Sequence, residues 1–260
     1  MRKAALLALL LTTAAAQAQN PPQPGFYFDT QVLWFDSPIT DFHNGSNAAD
    51  ESGQIELAPR FILGYDGDGI GARVRWWTFD RTARIYSPAI LEADTTLTVD
   101  VVDLEATTHI RGETSDFLLS GGARIAAFGI DEHLVIQDVT TFEKAVLGGV
   151  TLGGEGRTSI FANDLWGTAF IYGGRLSLLQ GDWEGDRPYT PFVDTELNLQ
   201  NERFIVPEVF TGIEAHYGRA FTRLTVELQQ WEGKEYDTYG GIVGHNFGFT
   251  GFGFDMGYSF

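Results

Sequence analysis

The sequence contains no cysteine among its 260 residues, so disulfide bonds contribute nothing to its stability. After residue 18 it also lacks any apolar run of the ~20 residues that a membrane-spanning helix requires. Positive charge is scarce, because 17 basic residues stand against 35 acidic ones and the formal net charge is −18. This balance disfavours nucleic acid as a partner.

The first residues have the pattern of a cleaved secretion signal. Arg2 and Lys3 precede the apolar run AALLALLL, and Ala16-Gln17-Ala18 supplies the small residues that a signal peptidase requires. At about 13 residues, the apolar stretch is too short to be a membrane-spanning helix. We therefore predict a cleaved signal peptide at residues 1–18 and one β-barrel domain at residues 19–260.

The rest of the chain combines many glycines (31) with many aromatic residues (20 Phe, 9 Tyr and 6 Trp), a composition that favours an all-β protein. Apolar and polar residues alternate with a period of two, which is the pattern of strands. The alternation predicts ten strands, at residues 26–35, 55–65, 70–79, 97–108, 116–127, 142–157, 166–179, 206–217, 221–231 and 249–260.

The gaps between these segments alternate between long and short, at roughly 19, 4, 17, 7, 14, 8, 26, 3 and 17 residues. This layout predicts an antiparallel transmembrane β-barrel with short periplasmic turns and long extracellular loops. Residues 190–205 also alternate, so they either hold a further hairpin, which would make twelve strands, or extend their neighbours.

The two faces of each predicted strand differ in polarity. In residues 70–78, for example, Val74 and Trp76 share one face, whereas Arg73 and Arg75 share the other. The acidic members of the polar set are Asp29, Glu56, Asp103, Glu105, Asp116, Glu155, Glu208, Glu214, Glu227 and Asp255. Its basic members are Arg60, Arg73, Arg75, Arg124, Arg175 and Arg223.

This polar set faces water in a soluble sandwich, but it lines the lumen in a membrane barrel. All its basic members are arginine, and after residue 18 the only lysines are Lys144 and Lys234. A soluble surface normally uses lysine freely, whereas arginine suits confined ion pairs with carboxylates. We therefore interpret the polar set as pore-lining and the apolar face as the surface that contacts outer-membrane lipid and lipopolysaccharide.

Aromatic residues collect near the strand ends on the apolar face, as an interfacial girdle requires. These are Phe28, Trp34, Tyr65, Tyr217 and Tyr258. The last strand, GFGFDMGYSF, must close the barrel against the first. Its Tyr258 and terminal Phe260 are similar to the C-terminal signal that the barrel-assembly machinery reads in outer-membrane barrels.

Several blocks resemble one known family. The stretch RFILGYDGDGIGARVRWWTF (60–79) is similar to a block of the Legionella-type pore-forming major outer-membrane proteins, which are also abundant in planctomycetes. DLEAT (103–107), SGGARIA (120–126), GVTLGGEGR (149–157) and residues 208–233 follow in the same order. The resemblance implies an outer-membrane barrel with a porin-like role. It carries no catalytic motif.

Catalysis is not expected. Among the five histidines, His43 and His245 lie in predicted loops, where a surface enzyme would place them, but no GxSxG or HExxH motif accompanies them. Acidic loop residues such as Asp182 and Glu184 lack the spacing of a dedicated calcium loop. We expect neither a metal nor a cofactor.

Two functions remain. The first is porin-like passage of small solutes or ions, with cations preferred because ten carboxylates face six arginines. The second is a closed structural or adhesive barrel that acts through its acidic loops. A ten-stranded barrel is only slightly wider than an eight-stranded one, whose interior side chains fill the lumen, so the polar set either lines a narrow lumen or plugs it.

Overall fold

The computed structural model describes residues 25–36, 49–50, 55–87, 91–112, 115–135, 138–162, 166–190, 193–233, 235–236, 242–243 and 246–260. The predicted signal peptide lies outside these ranges and stays a prediction. Within them the chain is built from strands and the turns between them. No helix in these ranges is long and apolar enough to cross a membrane.

Ten long strands form the architecture, and three two-residue strands accompany them. The long strands are β1 (Gly25–Asp36), β3 (Glu56–Asp66), β4 (Gly71–Ser87), β5 (Leu91–Arg111), β6 (Ser115–Leu134), β7 (Val139–Ala162), β8 (Trp166–Thr190), β9 (Val193–Tyr217), β10 (Ala220–Gly233) and β13 (Asn246–Ser259). The short strands are β2 (Ala49–Asp50), β11 (Glu235–Tyr236) and β12 (Ile242–Val243).

The long strands close into one antiparallel barrel. Each pairs with its neighbours along the chain, and the last strand, β13, pairs with the first, β1, in a register that runs from Tyr27 opposite Ser259 to Asp36 opposite Thr250. Closure removes both sheet edges, which would otherwise leave backbone groups unpaired. The prediction of a ten-stranded β-barrel is confirmed, and the twelve-stranded alternative is wrong, because residues 193–205 extend β9.

The structure corrects the predicted length of three loops. Residues 80–96, 128–141 and 180–205 are mostly strand, so the connections there shrink to residues 88–90, 135–138 and 191–192. We call the turn end the barrel end at which β3 is followed by β4, β5 by β6, β7 by β8 and β9 by β10; it also holds Gly25 and Phe260. The opposite end is called the far end.

The polarity of the inward and outward faces inverts part-way along the strands, as β5 illustrates, although the same alternate residues continue to face inward. Near the turn end, Asp103 and Glu105 are buried inside while Leu104 between them is 52% exposed on the outside. Towards the far end, Val101 and Val99 are buried inside and Asp100 is exposed outside. The outward face therefore changes from apolar to polar where the inward face changes from polar to apolar.

Other strands change at a corresponding level. On each of these strands the inward face changes from polar to apolar between two residues. With the polar residue given first, the pairs are Gln31/Leu33, Arg60/Ala58, Arg75/Trp77, Arg124/Ala126, Thr151/Leu147, Ser177/Leu179, Glu208/Val206 and Gln229/Trp231. The sequence-based assignment of faces did not anticipate this inversion. The extra strand length explains why: the far-end segments alternate in the opposite sense and were assigned to loops.

Close approach between β13 and β1 requires glycine at position 251. A Cβ atom there would lie 1.9 Å from the Trp34 carbonyl oxygen and 2.8 Å from a ring carbon of Phe35. At Gly148, by contrast, a Cβ atom would meet nothing within 4 Å. The two glycines therefore form a matched pair for a test of barrel closure.

We predict that Gly251→Val lowers the free energy of unfolding by about 1–3 kcal/mol through overpacking, whereas Gly148→Val leaves it nearly unchanged. Urea unfolding of the refolded protein, followed by heat-modifiable migration in gels, measures both. Equal effects of the two substitutions would contradict the described closure.

Candidate functional site: the filled interior

The interior contains the polar set that the sequence predicts. All sixteen residues take the inward positions of their strands. The buried members are Asp29, Arg60, Arg73, Arg75, Asp103, Glu105, Arg124, Arg175, Glu208, Glu214, Glu227 and Asp255. The remaining members, Glu56, Asp116, Glu155 and Arg223, are partly exposed. Their role in a passage stays a prediction.

The inward arginines and carboxylates on the turn-end side of the inversion form a layer that we call the charged tier. Arg124 lies at its centre. Its side chain is fully buried, and it donates two hydrogen bonds to Asp103, of 2.6 and 3.0 Å, and a further one to Glu208. Bidentate pairing of this kind matches the planar guanidinium to a carboxylate. Because Asp103 lies on the neighbouring strand and Glu208 on β9, three strands away, the contacts reach across the lumen.

Glu105 anchors a second group of contacts in the charged tier. Arg73 donates to Glu105, and Arg73 also lies 2.6 Å from Glu155. Arg175 donates to Glu105 at 3.1 Å and to Glu208 at 3.4 Å, which joins this group to Arg124. A carboxylate that accepts from two guanidinium groups is well compensated for its loss of water.

A third group links β3 to β10 across the barrel. Arg60 donates to both carboxylate oxygens of Glu227, at 2.8 and 2.7 Å, and to Gln31 at 2.7 Å. Nearer the turn end, Arg223 donates to Glu214 at 2.8 Å and lies 3.6 Å from Asp29. The Arg60–Glu227 pair joins non-adjacent strands, so it narrows the lumen at this level.

Arg157 belongs to this network although the sequence analysis did not include it. It donates to Glu214 at 2.6 Å and lies 3.0 Å from Nδ1 of His216. The signal was present, because Arg157 is two residues from Glu155 and so shares its face. Adding Arg157 to the predicted polar set gives ten carboxylates and seven guanidinium groups. Glu56 lies beyond Ala58 towards the far end, so the charged tier itself has nine of these carboxylates and a surplus of two.

A histidine also joins the interior at the turn end. Nδ1 of His109 lies 3.1 Å from Asp116, and Nε2 lies 3.4 Å from Asp66. Both ring nitrogens therefore contact carboxylates, one at the start of β6 and one at the end of β3. This arrangement ties the turns together and leaves neither nitrogen open to a substrate.

A small cavity lies within the charged tier. It has a volume of about 50 Å³ and is lined by residues that include Asp29, Arg75, Thr225 and Asp255. One carboxylate oxygen of Asp29, one of Asp255 and the Thr225 hydroxyl are buried there without a hydrogen-bonding partner in the protein. A space of this size holds only a few water molecules or a small ion.

Above the charged tier, towards the far end, nine inward aromatic side chains form what we call the aromatic tier. They are Phe35, Trp77, Phe79, Phe128, Trp183, Phe204, Trp231, Phe247 and Phe249. Their exposed fractions are between 0 and 4%. The sequence analysis did not anticipate this aromatic layer.

Ring contacts within the aromatic tier connect strands that are not neighbours in the barrel. Phe128 on β6 lies with its ring centroid 4.8 Å from that of Trp231 on β10. On the other side, Trp77 on β4 lies 5.6 Å from Phe249 on β13 in an edge-to-face arrangement. These centroid distances are those of favourable aromatic pairs. The tier therefore closes the lumen in the conformation described.

The outer surface near the turn end carries the predicted aromatic girdle in part. Phe28, Tyr65 and Tyr217 are exposed there, and Tyr258 is partly exposed, whereas Trp34 is exposed at the level where the faces invert. Phe260 is exposed beside Tyr258, and its backbone N–H donates to the Phe26 carbonyl at 2.8 Å. The terminal residue is thus held against the first strand. Recognition of this strand by an assembly machinery stays a prediction.

The candidate catalytic histidines, His43 and His245, lie outside the described residues. Within the described ranges, no group of three or more His, Asp or Glu side chains is arranged to hold a metal ion.

No family model matches the sequence, and no curated protein matches it. Among solved structures, the chain is similar to the outer-membrane protease OmpT from Escherichia coli, with a TM-score of 0.50 and 11% identity over 91% of this chain and 94% of that one. The β domain of the Bordetella autotransporter BrkA aligns with 92% of this chain and 99% of its own, at 12% identity and a TM-score of 0.42. At this identity the likeness to OmpT concerns the fold alone: the chain has the β-barrel fold of outer-membrane proteins.

We predict that Arg124→Met destabilises the barrel by about 3–5 kcal/mol, because Asp103 and Glu208 lose their closest cation in a buried setting. Lys144→Met is the matched control, since Lys144 pairs with Glu184 at 3.0 Å on the exposed surface and such pairs contribute about 0–1 kcal/mol. Urea unfolding in detergent micelles measures both. A loss no greater than that of the control would show that the charged tier is not a structural core.

Proposed function

We propose that the protein resides in the outer membrane and provides a narrow, porin-like passage for small, mainly cationic solutes. In the conformation described, the passage is closed by the aromatic tier. One observation carries this proposal: the two tiers lie in series, with a charged layer that is partly exposed at the turn end and an apolar layer above it. We place the turn end in the periplasm.

The charged tier supports a preference for cations. Nine of the predicted carboxylates lie in this tier with seven guanidinium groups, a surplus of two, and the unpartnered oxygens of Asp29 and Asp255 face the cavity of about 50 Å³. Four arginines also line this cavity: Arg60, Arg75, Arg175 and Arg223. In a confined space of low dielectric, uncompensated negative charge attracts cations and repels anions. These oxygens form a resting position for a small cation inside the barrel.

The aromatic tier supports the idea of a gate. Its side chains pack against one another mainly through ring contacts, with Trp183 and Trp231 each donating one hydrogen bond, to Glu143 and Gln229. Hydrophobic constrictions gate conduction in channels by excluding water. The resemblance to the Legionella-type pore-forming proteins agrees with this role, and we propose membership in that family.

A second candidate function is a barrel that remains closed and acts through its far end. It is favoured by the near-complete burial of the aromatic tier, which is what a permanent core requires. This candidate predicts no conduction even when the aromatic tier is opened, so the two functions are separable.

The test is planar-bilayer recording of the purified protein. We expect the wild type to show no conductance steps at low voltage, and Trp77→Ala combined with Phe128→Ala to show small, cation-selective steps. Trp76→Ala is the control, because Trp76 is the sequence neighbour of Trp77 but is 42% exposed on the outer face. Heat-modifiable migration confirms that each variant is folded.

Steps in the wild type would contradict the closed state. Silence of the folded double variant would contradict the gate and support the permanently closed barrel. Anion selectivity would contradict the role of the carboxylates.

The selectivity has its own test. In the Trp77→Ala, Phe128→Ala background, we predict that Asp29→Asn with Asp255→Asn reduces the cation-to-anion permeability ratio, because two negative charges leave the cavity. The reversal potential in a tenfold KCl gradient measures this ratio. Asp100→Asn, on the outer surface, should leave the reversal potential unchanged, and equal shifts for both would refute the proposed resting position.

A further inference from the structure

We infer that the bilayer surrounds only the turn-end half of the barrel, and that the far-end half stands in water as a β-barrel with its own hydrophobic core. The boundary lies at the level where the polarity of both faces inverts. This inference concerns the surface that meets lipid, and it holds whether or not the barrel conducts.

The strands are too long to be membrane-embedded along their whole length. β8 and β9 have 25 residues each and β7 has 24. At about 3.3 Å per residue such a strand is roughly 80 Å long, and at a tilt of about 40° it spans roughly 60 Å along the barrel axis. The apolar band of a membrane barrel is about 25 Å tall. More than half of each of these strands therefore extends beyond the hydrocarbon.

The outer face of β8 marks the boundary. Leu176 and Leu178 are exposed apolar residues, whereas the next outward residues, Gln180, Asp182 and Glu184, are exposed and polar. β10 repeats the pattern, with apolar outward residues up to Leu228 and polar ones at 230 and 232. A continuous apolar outer face is stable against lipid, whereas a run of outward carboxylates is stable against water.

Exposed ion pairs reinforce this assignment on the far-end half. Arg84 lies 2.8 Å from Asp94 and 3.0 Å from Glu92, all on the outer surface. The Arg84 guanidinium, by its hydrogen bond, holds the pKa of Asp94 below its usual range. Lys144 and Glu184 form another such pair. Charges in these positions would be costly within hydrocarbon but are ordinary in water.

Two outward tryptophans stand at the proposed boundary. Trp34 is the last outward apolar residue of β1 before Asp36, and Trp76 is the last on β4 before Thr78 and Asp80. Tryptophan prefers the membrane–water interface, where its ring meets the acyl chains and its N–H meets polar groups. Both residues therefore lie at the level where the faces invert.

The inner face gives an independent argument. A barrel segment in lipid gains little from an apolar interior, but a segment in water must bury apolar side chains to be stable. The aromatic tier, with Leu33, Leu97, Val99 and Leu147 around it, is one continuous buried cluster on the far-end side. This cluster is what a water-exposed barrel needs. Val146 and Phe142 are exposed apolar residues on the outer face of β7 above the boundary, and charged Lys144 lies between them. Scattered apolar residues of this kind are common on soluble surfaces.

The absence of cysteine makes a direct test possible. Thr82→Cys and Val74→Cys form a pair on the outer face of β4, and Gln180→Cys and Leu176→Cys form one on β8. Each variant carries a nitroxide spin label and is reconstituted in phosphatidylcholine vesicles. Electron paramagnetic resonance then compares collisions with oxygen, which concentrates in lipid, and with a water-soluble nickel chelate.

We expect the labels at positions 74 and 176 to collide mainly with oxygen and those at 82 and 180 mainly with the nickel chelate, with at least a tenfold difference in the ratio. All four positions face outward and are exposed, so the substitutions leave the interior intact, and gel migration verifies folding. Oxygen-dominated collisions at 82 and 180 would overturn the inference. Nickel-dominated collisions at 74 and 176 would overturn it as well, because the apolar band would then face water.

Discussion

The structure depends on one constraint: at every level of the barrel, contacts among the inward side chains must provide the stabilisation that the medium around the outer face does not provide. Where the outer face is apolar, the medium around it gives no hydrophobic driving force for folding, and the interior is held by ion pairs and hydrogen bonds. Where the outer face is polar, water surrounds it, and a packed apolar cluster dominates the interior, beside buried polar groups such as Arg81 and Glu143. A single strand such as β5 therefore carries Asp103 and Glu105 inside one half and Val99 and Val101 inside the other.

The charged tier follows from this constraint. Guanidinium and carboxylate groups that leave water need several partners each, because one unpaired charge in a confined interior costs more than a pair contributes. Arg124 with Glu208, and Arg175 with Glu105, satisfy this need by contacts between non-adjacent strands. Such contacts also shorten the distance across the lumen, so the pairing that stabilises the barrel is what narrows it. An aromatic layer on top completes the closure.

The sequence predicted the number of strands, their order and the inward position of the sixteen polar residues, because period-two alternation with apolar residues outside is a strong signal. It did not predict the far-end halves of the strands. In residues 80–96, outward Asp80, Thr82 and Arg84 alternate with inward Arg81 and Ala83, which looks like a loop when an apolar outer face is assumed. The aromatic tier was missed for the same reason.

Cross-barrel contacts were beyond the reach of sequence reasoning altogether. The approach of Arg60 to Glu227, or of Phe128 to Trp231, depends on the curvature and stagger of the closed sheet and not on any local pattern. Only the parity of each residue is encoded locally. For Arg157, the alternation was sufficient to predict an inward position, because Arg157 shares its face with Glu155. The sequence analysis nevertheless overlooked it.

The central claim, that the inversion of polarity marks the edge of the bilayer, is tested most directly by the height of the protein in a membrane. Neutron reflectometry of the barrel in a supported bilayer, with the lipid contrast-matched, measures how far protein density extends beyond the headgroups. The account predicts an extension of roughly 25–30 Å on one side, from about twelve strand residues at a 40° tilt. Protein density that ends at the headgroups on both sides would contradict it.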